Sequence, residues 1–212
     1  MTTPDQAGPD VHPPSGPPIT FIDFLLDETG SMRSCAAETR AGFDAFVAAQ
    51  AAVTGECFLT LSTFDSTGVR TPYENLRIHA VLPLSFFPGE TTNLFDCMGE
   101  RLAAVMDQRR EGTSLFVVMT DGDDNASVFW TMESVRDLVV RAQDQGVVVL
   151  FLGPPGQAME VGSGLGIPAD RVRPFDTEQM RETMNEVSAV VTAFRSGSDA
   201  AGFTQENVDE DR

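Results

Sequence analysis

Apolar residues in this chain form short runs that are separated by turn-forming residues and by longer amphipathic stretches. The run 19–26 is almost unbroken and rich in β-branched and aromatic residues, and the runs 113–119 and 147–152 are also fully apolar at their centres. Such runs are typical of strands that are buried on both faces of a parallel sheet. The complete set of predicted strands is 19–26, 57–64, 76–82, 113–119, 147–152 and 171–175.

The segments between these runs repeat their apolar residues at helical spacing. Phe43, Phe46 and Val47, for example, share one helical face. This periodicity predicts helices over 34–53, 92–110, 132–145 and 177–194, with a short helix over 157–161. Strands and helices therefore alternate along most of the chain. That order predicts an α/β fold, a doubly wound and mostly parallel sheet with helices on both faces.

One predicted strand has a different pattern. Segment 76–82 alternates apolar with polar residues, which indicates an antiparallel edge strand with His79 on the surface. The preceding segment, 65–75, contains Gly68 and Pro72 and is predicted to be a turn-rich connection.

The two ends of the chain lack this periodicity. Residues 1–17 are polar and proline-rich, and we expect a disordered or polyproline-like segment there. Residues 197–212 are small, polar and acidic, and are predicted to be a disordered tail. The folded domain is therefore predicted to span 18–196.

The charge of the chain argues against several classes of function. The formal net charge is -18, which disfavours direct binding to nucleic acid or to an anionic membrane. All 14 basic residues are arginine, so no lysine is present to serve a phosphate-binding loop or a Schiff base. The two histidines, His12 and His79, do not lie near a candidate nucleophile.

The cysteines and the hydropathy pattern indicate a compartment. Cys35, Cys57 and Cys97 have no paired spacing, which predicts core residues in a reducing compartment and not a disulfide set or zinc site. No segment resembles a transmembrane helix or a signal-peptide core. We therefore expect a soluble cytoplasmic protein that binds neither nucleic acid nor membrane. Its oligomeric state is not indicated.

Oxygen-bearing side chains follow the first and fourth predicted strands. Asp27, Thr29 and Ser31 lie at alternate positions after the first strand, and Asp121 follows the fourth. These strands are neighbours in the usual doubly wound order, so their carboxyl ends border one crevice. Thr92 lies in a loop that enters the helix immediately before the fourth strand, and its hydroxyl can therefore reach the same crevice. Oxygen ligands of this kind suit Mg²⁺ or a similar cation. The alternative interpretation is that Asp27, Thr29 and Ser31 cap the N-terminus of a helix. Convergence of three loops favours the metal.

Three segments resemble the signature of von Willebrand factor A-like domains. The first is Asp27-Glu28-Thr29-Gly30-Ser31-Met32, which is similar to the family's D-x-S/T-x-S motif. The second is Gly89-Glu90-Thr91-Thr92-Asn93-Leu94-Phe95-Asp96, and the third is Thr120-Asp121-Gly122, followed by Asn125 and Ser127 as in a T-D-G-x-x-N-x-S run. The segments occur in family order, and the resemblance covers about 18–196. It is nearest to the compact, stand-alone bacterial and phage members.

This resemblance implies a metal-ion-dependent adhesion site. Its ligands would be Asp27, Thr29, Ser31, Thr92 and Asp121, with Thr91 as the alternative to Thr92. The cation would be Mg²⁺, or else Mn²⁺ or Ca²⁺, and the partner would be another protein that presents an Asp or Glu carboxylate. The residues expected to contact that partner are Glu28, Met32, Thr91 and Asp123.

Other functions match parts of the sequence. An apolar strand that ends in an aspartate, here Asp27, resembles the motif of haloacid-dehalogenase-like phosphatases. Those enzymes have a second aspartate where this chain has Thr29. A structural domain with an unused metal site is another alternative, although all five ligand positions retain oxygen. The glycine-rich run 162–166 lies too late in the chain for a dinucleotide site. We therefore expect a protein-binding module and not an enzyme.

Overall fold

A six-stranded sheet organises the chain, of which the computed structural model describes residues 19–89, 91–198 and 202–203. The sheet has the spatial order β3-β2-β1-β4-β5-β6. All pairings are parallel except that of β2 with β3. The strands are β1 (Thr20–Asp27), β2 (Cys57–Asp65), β3 (Gly68–Arg77), β4 (Thr113–Met119), β5 (Val147–Gly153) and β6 (Val172–Pro174). The predicted fold class, including one antiparallel edge strand, is confirmed.

Helices cover both faces of the sheet. They are α1 (Ala36–Ala52), α2 (Leu94–Asp107), α3 (Met132–Asp144), α4 (Ala158–Gly164) and α5 (Met180–Arg195). One apolar layer joins α1 and α5 to the sheet, and the other joins α2, α3 and α4 to it. In β1, Phe24 belongs to the first layer and packs edge-on against Phe43 and Phe46, with ring centroids 5.6 and 5.7 Å apart. Leu25 belongs to the second layer. Since side chains alternate along a strand, Asp23 and Asp27 lie on the same side as Leu25.

The antiparallel edge strand begins earlier than the alternation predicted. Residues 68–77 form β3, whereas Ile78–Ala80 is a 3-10 helix, so the predicted strand 76–82 is wrong in position. Asp65 pairs with Gly68 across a tight hairpin turn, and Gly68 has a φ of 122° that a side chain would disfavour. Pro72 is tolerated because an edge strand has one side without a sheet partner. His79 is exposed, as predicted.

The described part of the chain also bears on its ends and its compartment. Segment 1–17 and most of 197–212 lie outside the described residues, but Phe203 is buried and donates its N–H to the Asp170 carbonyl at 2.7 Å. Phe203 therefore packs in the first apolar layer, and the predicted boundaries of the domain and its tail stay a prediction. The three cysteines are free and buried. Among the described residues no helix is long and apolar enough to cross a membrane, and the cytoplasmic location stays a prediction.

Candidate metal site

The candidate ligands lie at the carboxyl ends of β1 and β4, which are neighbours in the sheet. Asp27 is the last residue of β1, and Asp121 follows shortly after β4. Thr29 directly precedes a 3-10 helix, Gly30–Cys35, and Ser31 lies in its first turn. Thr92 lies just before α2. The position agrees with the rule that open parallel sheets collect functional groups beyond the carboxyl ends of their strands.

Direct contacts show that the loops meet. Ser31 Oγ donates to Asp121 Oδ1 at 2.6 Å, and Thr29 Oγ1 lies 3.1 Å from Ser31 Oγ. Thr92 Oγ1 would lie 3.3 Å from a Cβ placed on Gly122, so this hydroxyl faces the loop after Asp121. The loops that carry Ser31 and Asp121 are therefore in direct contact, and the Thr92 hydroxyl lies beside the second of them.

Asp27 is completely buried and is held by neutral donors. Its Oδ1 accepts the Thr29 N–H at 2.7 Å, and its Oδ2 accepts the Thr120 hydroxyl at 2.6 Å. The Thr120 oxygen accepts in turn from the Gly122 N–H at 3.2 Å. Burial, with a smaller contribution from the nearby Asp121 charge, raises the pKa of the Asp27 carboxyl to about 6, although these hydrogen bonds oppose the rise. Each carboxylate oxygen still has a lone pair for a further partner.

Asp121 completes the pair of carboxylates. Burial raises its pKa, whereas the Ser31 hydroxyl and the Asp121 backbone N–H oppose that shift. A divalent cation beside Asp27 and Asp121 would favour the charged form of both. Among the described residues no group of three or more His, Cys, Asp or Glu could hold a metal. This site instead combines two carboxylates with three hydroxyls, and such hard oxygen donors fit Mg²⁺, Mn²⁺ or Ca²⁺.

The two adjacent threonines have different environments. Thr92 is 4% exposed, donates its N–H to Asn125 Oδ1 at 3.1 Å and accepts the Asn125 N–H at 3.0 Å. Thr91 is exposed. Thr92 is therefore the threonine that faces the site, whereas Thr91 lies on the surface beside it.

The four expected partner-contacting residues divide into two pairs. Thr91 and Asp123 are exposed, but Glu28 is 2% exposed and Met32 is fully buried. Glu28 accepts the Phe87 N–H and pairs with Arg70, and its carbonyl accepts the Gly89 N–H at 2.7 Å. Glu28 thus anchors the loop before α2. The predicted surface role is wrong for Glu28 and Met32, because both side chains belong to the interior.

Several residues that shape the site are not apparent from the motifs. Thr120 belongs to the T-D-G motif, which does not by itself indicate that its hydroxyl donates to Asp27 and orients that carboxylate. The loop after β4 also caps α2: Asp124 Oδ1 accepts the Phe95 N–H at 3.2 Å, and Ser127 Oγ accepts the Asp96 N–H at 3.0 Å. Helix N-termini have N–H groups without intrahelical partners, and here side chains from a distant loop satisfy them. The T-D-G-x-x-N-x-S run is the sequence feature from which the role of this loop could have been inferred.

Solved structures share this fold at low sequence identity. The pilus adhesin SpaC from Lactobacillus rhamnosus GG is 13% identical over 84% of this chain and 31% of its own, with a TM-score of 0.66. A von Willebrand factor type A protein from Catenulispora acidiphila is 15% identical over 83% and 43%, with a TM-score of 0.57. Proximal thread matrix protein 1 from the mussel byssus is 14% identical over 82% and 46%, with a TM-score of 0.61.

These similarities establish the fold. The chain has the architecture of a von Willebrand factor A domain, and it spans less than half the length of each of the three structures. No protein-family model and no curated protein matches the sequence.

Proposed function

We propose that this chain is a divalent-cation-dependent protein-binding module that holds a carboxylate of its partner. The observation that supports the proposal is the 2.6 Å contact between Ser31 Oγ and Asp121 Oδ1, which joins the loops at the carboxyl ends of β1 and β4, with Thr92 hydrogen-bonded to the second of these loops through Asn125. The von Willebrand factor A fold, in which the candidate ligands lie in the order of the family motif, supports it.

The ligand chemistry explains why the bound group would be a carboxylate. Of the five candidate ligands only Asp27 and Asp121 carry charge, and Asp27 is already engaged by Thr29 and Thr120. Two directly bound carboxylates would neutralise a divalent cation, but if one of them acts through water, the cation keeps net positive character and an open coordination position. The neutral hydroxyls of Ser31 and Thr92 would help to hold the cation without adding negative charge. An Asp or Glu of another protein is the group that such a site accepts most readily.

The surroundings of the site restrict the partner further. Asp96, Asp123 and Asp124 lie in the adjoining segments, and the whole chain has a net charge of -18. An acidic partner surface would be repelled, although screening limits this repulsion to about 8 Å at physiological ionic strength. We therefore propose a partner with one protruding carboxylate in a neutral or basic surface. Nucleic acid and anionic membrane are disfavoured by the same charge.

Calorimetric titration with Mg²⁺ tests the proposed site. We expect the wild type to bind the cation, Asp121→Asn to lose most of the binding, and Ser31→Ala to be weakened. Ser34→Ala is the matched control, because the Ser34 hydroxyl is exposed and directed at the Ser31 carbonyl, 3.4 Å away. Equal Mg²⁺ binding by the wild type and Asp121→Asn would contradict the proposal.

We also propose that the chain has no catalytic turnover. Thr29 occupies the position where dehalogenase-like phosphatases have their second aspartate, and no lysine is present to balance phosphate charge. A screen with phosphomonoesters and nucleotides in Mg²⁺ should give background rates. Phosphatase activity that disappears in Asp27→Asn would instead support the phosphatase alternative.

A further inference from the structure

Two apolar side chains project into solvent from the loop that follows Asp121. Val128 is 79% exposed and Phe129 is 87% exposed. Single exposed apolar residues are common on protein surfaces. An adjacent pair beside a candidate binding site is more informative, because aromatic side chains are enriched among the residues that dominate protein interfaces.

The backbone that carries these side chains is held firmly. The Asp96 carboxylate, in the first turn of α2, accepts the N–H groups of Val128 and Phe129 at 2.9 Å each and of Trp130 at 2.6 Å. The Trp130 ring fills a notch at Gly99, where an added Cβ would lie 2.1 Å from the ring. The exposure of Val128 and Phe129 is therefore a property of an ordered loop and not of a frayed one.

The same loop is joined to the candidate metal site. Asn125 exchanges two hydrogen bonds with Thr92, and Asp124 accepts the Phe95 N–H from the start of α2. The position of Phe129 is consequently set relative to that of Thr92 through the N-terminus of α2. The apolar pair and Thr92 are therefore both attached to the same end of α2.

We propose that Val128 and Phe129 pack against an apolar surface of the partner protein, next to the carboxylate that the metal site holds. This inference rests on the proposed function and adds a second requirement to the partner: an acidic residue with aromatic or aliphatic neighbours. A second copy of this chain is disfavoured, because two surfaces bearing Asp123 and Asp124 would repel each other.

Peptide display provides a test that does not require the natural partner. Random peptides are bound to the full chain in Mg²⁺ and eluted at low pH, and the enriched sequences are synthesised and their binding is measured in Mg²⁺ and in EDTA. We expect them to carry an Asp or Glu beside aromatic or aliphatic residues. Their affinity should fall at least about tenfold for Phe129→Ser and less for Val128→Ser. Val140→Ser is the matched control, since Val140 is 43% exposed but lies on α3, and it should bind like the wild type.

The outcomes separate this inference from the proposed function. Peptides that need Mg²⁺ but bind Phe129→Ser normally would overturn the apolar contact alone. Peptides that need Phe129 but bind equally in EDTA would overturn the metal-dependent function and retain the apolar contact. Failure to enrich any peptide would count against both. Binding of neutral phosphatidylcholine vesicles, or dimerisation in sedimentation, that is lost in Phe129→Ser would assign the pair to a membrane or to self-association and overturn the inference.

Discussion

Two buried aspartates of β1 have opposite electrostatic environments. Asp23 is 2% exposed and Asp27 is fully buried, and burial raises the pKa of both carboxyls. Asp23 is paired with Arg110, a side chain that is itself 7% exposed and lies 4.8 Å above the Phe21 ring. The Arg110 charge opposes the rise in the pKa of Asp23. Asp27 instead accepts hydrogen bonds from an amide and a hydroxyl, both of which are neutral.

The comparison separates a structural carboxylate from one suited to an external cation. The chain itself supplies the counter-charge for Asp23, so that ion pair belongs to the fold. Around Asp27 and Asp121 the described residues supply oriented dipoles and no cationic side chain that shifts either pKa, so the carboxylates are held in place without being neutralised. A site of this kind gains most from a cation taken from solution, and this contrast supports the proposed metal function.

The largest expected effect is the loss of the buried ion pair. Asp23→Asn leaves the Arg110 charge buried and unpaired, and we expect the free energy of unfolding to fall by about 3–5 kcal/mol. Urea denaturation measures this change. Arg77→Met is the control: Arg77 and Glu56 form an exposed pair, 65% and 47% accessible, and its loss should cost about 1 kcal/mol or less.

A double variant sharpens this prediction. Asp23→Leu combined with Arg110→Met removes both charges, and it should be more stable than Asp23→Asn because no unpaired charge remains. Equal stability losses for Asp23→Asn and Arg77→Met would show that the buried pair has no special role.

Asp27→Asn should not show the loss in free energy of unfolding that is expected for Asp23→Asn. Asp27→Asn removes a buried carboxylate for which the described part of the chain provides no counter-charge, so in metal-free buffer at pH 8 we expect stability to be retained or to rise by about 1–2 kcal/mol. Mg²⁺ should stabilise the wild type, by about 2.7 kcal/mol when its concentration is one hundred times the dissociation constant. It should have no such effect on Asp27→Asn. Thermal unfolding of the wild type and of Asp27→Asn, with and without Mg²⁺, measures both effects. A marked loss of stability in metal-free Asp27→Asn would contradict the proposed difference between Asp23 and Asp27.

A smaller effect is expected at Asp96, a carboxylate near the surface. Burial alone would raise its pKa, but the backbone N–H groups of Val128, Trp130 and Phe129 outweigh burial and lower it. Asp96→Asn should therefore cost about 1 kcal/mol at neutral pH, since an amide cannot accept all three bonds on charged oxygens.

The pH dependence of this variant follows from the lowered pKa. The stability that Asp96 contributes is present above its unfolded pKa of 3.8 and is lost as the pH falls through its lower folded-state value. In urea denaturation at several pH values, the difference between wild type and Asp96→Asn should shrink below about pH 4. A difference that stays constant down to pH 2 would contradict the assignment.

Local pattern was sufficient for most elements of the fold. β4 occupies 113–119 as predicted, because a fully apolar run bounded by polar residues has few alternatives to a central strand. The positions of Asp27 and Asp121 at neighbouring strand ends likewise followed from the alternation of strands and helices. The edge strand was misplaced because Gly68 and Pro72, which usually mark turns, are both compatible with a hairpin at the border of a sheet.

The sequence by itself determined the fold class and the oxygen donors of the candidate site, because hydrophobic periodicity and side-chain chemistry are local properties. Only the tertiary structure decided which charges are compensated and which side chains are exposed. It placed Glu28 and Met32 inside, paired Asp23 with Arg110, and fixed Phe129 in solvent through Asp96. Burial and charge pairing depend on contacts between segments far apart in the chain, and no local pattern specifies them.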